Sequence, residues 1–61
     1  MFRIEVEFIN WYNCSEFKIE TTDSWRQAFG AFTIYVGNDD CKFCRVFIDG
    51  KETPILNYDA P

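Results

Sequence analysis

The sequence predicts a single α+β domain of order β-β-α-β-β, an antiparallel sheet with one helix packed on one face. Three observations predict it. Apolar and charged residues alternate from Phe2 to Phe8, apolar residues recur at helical spacing after Ser24, and Asp49-Gly50 separates two strand-like runs. Sixty-one residues are one domain at most.

In the first strand Phe2, Ile4, Val6 and Phe8 share one face, and Arg3, Glu5 and Glu7 the other. The run continues through Ile9 and Trp11 on the charged side. Asn13-Cys14-Ser15-Glu16 reads as a turn. Phe17, Ile19 and Thr21 alternate with Lys18 and Glu20 in a second strand that completes an antiparallel hairpin.

Thr22-Asp23-Ser24 opens the helix, with Ser24 and Gln27 at capping-box spacing. Trp25, Ala28, Phe29, Phe32 and Tyr35 or Val36 keep the helical period, and Gly37-Asn38 stops it. A rival reading ends the helix near Gly30 and makes 32–36 a strand; the longer helix is preferred.

Residues 41–48 form the third strand, and Asp49-Gly50 is a two-residue hairpin turn. Lys51 to Tyr58 is the last strand, placed at a sheet edge by Pro54. Residues 59–61 read as a loose tail. In the third strand Cys44, Val46 and Ile48 share one face, and Phe43, Arg45 and Phe47 the other. Either set can meet the helix, since register does not follow from one sequence. The outward choice for Phe43 and Phe47 leaves an open aromatic face framed by Glu5, Glu7 and Arg45.

Two Trp, three Tyr and seven Phe exceed what a core this small can hide, so some aromatics are expected at a contact surface. The net charge of −4 argues against direct nucleic-acid binding and suits a partner with a cationic surface. No apolar run approaches the ~20 residues of a membrane span, and the N-terminus has no signal-peptide pattern. A cytoplasmic protein with reduced thiols is therefore expected.

Chemistry finds little support. There is no histidine, hence no Ser-His or Cys-His system. Cys41-x-x-Cys44, with side chains expected on opposite strand faces, has only Cys14 to add, short of a zinc tetrad. Glycines are isolated, so no phosphate loop exists. The expectation is a binding protein with no catalytic residues, no metal and no cofactor.

Val6-x-Phe8-x-x-Trp11-Tyr12 and Phe47-Ile48-Asp49-Gly50-Lys51 are the two blocks in which the chain resembles the Dmd-like antitoxins of T-even phages. Residues from about 22 to 44 match that family only in type. The resemblance implies a phage protein in the cytoplasm of an infected bacterium. Its partner would be a host endoribonuclease toxin of the RnlA or LsoA type, whose RNA-cleaving site it occludes to protect phage mRNA. The expected anchors are Trp25, Phe29 and Phe32 on the helix, then Trp11 and Tyr12. Asp39 and Asp40, with Glu5 and Glu7 behind them, are expected to stand where RNA phosphates would go. An acidic nucleic-acid mimic with another host target and a self-associating module, such as a homodimer, are the alternatives.

Overall fold

A computed structural model describes Met1 to Pro61. Its elements are β1 (Phe2–Ile9), β2 (Ser15–Thr22), α1 (Trp25–Val36), β3 (Cys41–Ile48) and β4 (Lys51–Asp59), the predicted order. The strands form one antiparallel sheet in the order β2-β1-β3-β4. Seven residues are buried between sheet and helix: Ile4, Val6, Ala28, Cys41, Cys44, Val46 and Leu56.

The helix runs unbroken to Val36, so 32–36 is not a strand. Phe32, Tyr35 and Val36 pack against the core, which holds the turn beyond Gly30 in place. Ser24 caps the start by accepting from the Gln27 amide at 3.2 Å. The Gln27 side chain accepts instead from the Thr22 hydroxyl at 2.8 Å, and Thr22 takes the Ser24 amide at 3.1 Å. The reciprocal half of the capping box is thus relayed through Thr22. At the other end Gly37 keeps an ordinary right-handed φ of −72° and donates to Thr33 O.

The β1–β2 connection lies earlier than expected. β1 stops at Ile9, Trp11 belongs to the turn and not to a strand face, and Ser15 and Glu16 already pair with β1. Asp49 and Gly50, with φ of 50° and 84°, form the tight turn between β3 and β4. Asp59 closes β4 opposite Phe43, and Ala60 donates its N–H to Lys42 O at 2.8 Å. The tail expected to be loose from 59 is therefore tied as far as Ala60.

Two irregularities reshape the faces. Glu7 pairs with Phe43 but Phe8 with Cys41, so Lys42 is an extra residue and β3 bulges there. The bulge resets the alternation and turns Cys41 to the same buried face as Cys44, correcting the expectation of opposite faces. In β4, Arg45 pairs with Asn57 and Phe47 with Glu52, so Thr53 to Leu56 bow outward opposite Val46. Pro54 sits in that bow on the sheet edge, where its missing N–H breaks no ladder. Leu56 returns into the core and Ile55 points outward.

Phe43, Arg45 and Phe47 lie on the face away from the helix, with Glu5 and Glu7 of β1. The Arg45 guanidinium sits 4.6 Å from the Phe43 ring and that of Arg3 4.3 Å from the Phe47 ring. The same register puts Phe17 and Ile19 on this open face, opposite Glu7 and Glu5. No helix is long and apolar enough to cross a membrane.

Candidate protein-binding surface

Strand β1 is followed by Asn10, whose side chain organises the turn. Its Oδ1 accepts from the amides of Tyr12 at 2.9 Å and Cys14 at 3.1 Å. Its Nδ2 donates to Glu16 at 3.2 Å, and its backbone exchanges bonds with Cys14 and Asn13. Asn13 takes φ 60°, which asparagine tolerates better than most residues. On this frame Trp11 and Tyr12 are 99% and 85% exposed.

The α1–β3 turn lies beside it. Asn38 Oδ1 accepts from the Asp40 amide at 2.9 Å, and Asn38 O from the Cys41 amide at 3.1 Å. Asp40 O accepts from the Ile9 amide at 3.0 Å, which ties the turn to the end of β1. An open groove of about 650 Å³ runs between the turns, lined by Phe8, Asn10, Trp11, Glu16, Asn38 and Asp40 among others. Large amphipathic rings and uncompensated carboxylates thus share one end of the molecule, an arrangement suited to a cationic, partly apolar protein surface.

The other expected anchors lie elsewhere. Trp25 and Phe29 stack at 5.8 Å, with Phe2 5.7 Å from Trp25, where the strands meet the start of the helix. Both are about half exposed. Phe32 is partly buried and packs against the core, so it is less free to act as an outward anchor than Trp25 or Phe29. Glu5 and Glu7 lie on the open sheet face, paired with Arg3 at 3.0 Å and Lys42 at 3.5 Å. The structure brings Trp11 and Asp40 to one groove, with Tyr12 and Asp39 exposed next to them in the chain, and places Trp25 and Phe29, and Glu5 and Glu7, elsewhere. Asn10 and Asn38 were missed; asparagine beside a turn was their signal in the sequence.

The thiols divide by environment. Burial pushes Cys44 up to about 12, helped by the nearby Cys41 and Glu20, and burial also raises Cys41. Thiols held protonated in this way are poor nucleophiles and poor metal ligands. Cys14 is exposed. No group of three or more His, Cys, Asp or Glu side chains is placed to hold a metal ion.

No protein-family model matches the chain, and neither does any curated protein or solved structure.

Proposed function

We propose that this chain is a stoichiometric protein inhibitor, an antitoxin acting in the cytoplasm of a phage-infected bacterium. Its target is a host endoribonuclease toxin of the RnlA or LsoA type, and binding occludes the RNA-cleaving site so that phage mRNA survives. The observation that carries this reading is Trp11, almost wholly exposed on a turn that Asn10 holds in one shape. An indole left in water on a rigid support loses little freedom on docking, the property of an interface anchor. Asp40 in the same groove, with Asp39 next to it in the chain, matches a site built to bind phosphates. The chain would not turn over a substrate; it blocks one.

Co-expression with an RnlA- or LsoA-type toxin in bacteria tests the proposal. Growth rescue and co-purification are expected for the native chain. Trp11→Ala should weaken capture by roughly 30-fold or more, the scale of an anchor worth about 2 kcal/mol, without unfolding the domain. Trp25→Ala, which removes a ring stacked on Phe2 and Phe29, should cost stability as well as any binding. If the folded native chain neither rescues growth nor co-purifies, the antitoxin reading is wrong. Exposed carboxylates around the groove favour one other reading, a nucleic-acid mimic. That reading requires binding that collapses as salt is raised and survives Trp11→Ala.

A further inference from the structure

Strand β2 is a sheet edge with its polarity reversed. Lys18 and Glu20 lie on the helix side, whereas Phe17 and Ile19 lie on the open face, each about half exposed. A strand that served only to finish the core would place its apolar residues the other way.

The backbone of this strand is also half unused. The Asn10 amide donates to Cys14 O while the Ile9 amide donates to Asp40 O on the other side, so Asn10 and Cys14 stand at a position whose backbone groups face each other. Such pairs recur at every second position of an antiparallel ladder. Glu16, Lys18, Glu20 and Thr22 therefore bond to β1, and Phe17, Ile19 and Thr21 direct their N–H and C=O groups to the free edge. An edge of this kind is a template for another strand.

We propose that two copies of this chain pair antiparallel along β2, about a twofold axis through Ile19, to form one continuous sheet with both helices on the same face. This interface is separate from the Trp11 turn and does not rest on the antitoxin reading. Charge selects both the occupant and the register. A twofold axis normal to the sheet sets open-face residues only against open-face residues. Centred on Ile19, it places Lys18 against the partner's Glu20 and Glu20 against the partner's Lys18. Ile19 then meets its own copy, and Phe17 meets the partner's Thr21, each of these pairs exchanging both backbone bonds. Centred on Lys18, the axis would set Lys18 against itself and Glu16 against Glu20, all like charges. Centred on Phe17, it would leave Glu20 to Thr22 beyond the end of the partner's strand. The Ile19 register alone combines a long ladder with matched charges, and it brings the exposed sides of Phe17 and Ile19 together across the new seam.

Sedimentation of the full chain over a range of concentrations is the first measurement, and a dimer is expected. Lys18→Glu sets carboxylates opposite one another at two places and should weaken the dimer by about tenfold or more. Adding Glu20→Lys to that variant should restore it. In a Cys14→Ser background, Ile19→Cys should form an interchain disulfide on mild oxidation, because hydrogen-bonded antiparallel partners lie ~5.5 Å apart at Cα, within disulfide reach. Lys18→Cys should not. Ile19→Pro, which removes a donor facing the free edge and no bond to β1, should give a folded monomer by circular dichroism. A chain that stays monomeric to millimolar concentration overturns the proposal. So does a dimer that is indifferent to Lys18→Glu and Ile19→Pro, which would have formed through some other surface.

Discussion

Tyr35 fastens the last turn of the helix to the edge of the sheet, its hydroxyl donating to the Glu20 carboxylate. Burial is the larger reason its proton is held tightly, and the bond to Glu20 adds to it, so its pKa rises from 10.0 to about 12. The consequence for stability has a definite sign. The folded state keeps this proton to a higher pH than the unfolded chain does, so the stabilisation is complete below pH 10 and is lost as pH rises through about 12. Cys44, raised from 9.0 to about 12, contributes a loss in the same direction that begins lower. Urea unfolding followed from pH 8 to pH 12 should therefore show a falling midpoint above about pH 9. Tyr35→Phe should be the less stable protein at pH 8 and should fall less steeply above pH 10, because the Tyr35 part is gone while the losses from the buried thiols Cys44 and Cys41 remain. Parallel slopes for the two proteins would mean that Tyr35 is not held in this way.

At the level of elements, the β1–β2 turn shows how one polar side chain can fix a larger surface. Asn10→Ala removes the acceptor for two amides and the donor to Glu16. Water can replace part of this at an exposed site, so a loss of about 1 kcal/mol is expected. The amides of Tyr12 and Cys14 should exchange with solvent faster, and partner capture should weaken although Trp11 is intact. Unchanged exchange at both amides would show that the turn holds its shape without Asn10. The strands and the helix were legible in the sequence because period two and period 3.6 are local properties, and the helix past Gly30 followed from continued spacing. Three features were not legible. The Lys42 bulge has no local marker, since Lys-Phe-Cys alternates acceptably with or without it, and only the pairing with Phe8 reveals the extra residue. The reversed polarity of β2 is hidden because alternation distinguishes two faces without saying which one the helix covers. The meeting of Trp11 and Asp40 at one groove depends on the β1–β3 pairing, a long-range contact that brings two turns distant in sequence to one end of the sheet. Trp25 and Phe32, by contrast, were readable as helical-face residues, but the same spacing serves a stacked ring and a core ring alike.

At the scale of the whole molecule, apolar residues make up 48% of the chain, yet only seven residues are buried. A sheet of four strands with one helix covers one face only, so apolar side chains beyond the first layer have nowhere to go. Stability scales at roughly 0.05–0.15 kcal/mol per residue, which places this domain at about 3–9 kcal/mol. Ile4 is essentially inaccessible, and Ile4→Ala would cost about 3 kcal/mol in lost burial and cavity. That leaves about 0–6 kcal/mol, so this variant should unfold at a much lower urea concentration than the native chain. A partner that binds only the folded form draws the equilibrium back by mass action, by about 2.7 kcal/mol when it is present at 100 times its Kd. In urea just sufficient to unfold Ile4→Ala, the proposed toxin partner should therefore restore most of its native circular dichroism, whereas Trp11→Ala should still be folded there and gain nothing. The two variants separate a defect of the core from a defect of the surface. If the proposed partner fails to refold Ile4→Ala while still capturing the native chain tightly, the contact does not require the folded sheet, and the binding surface built from the two turns is not the one in use.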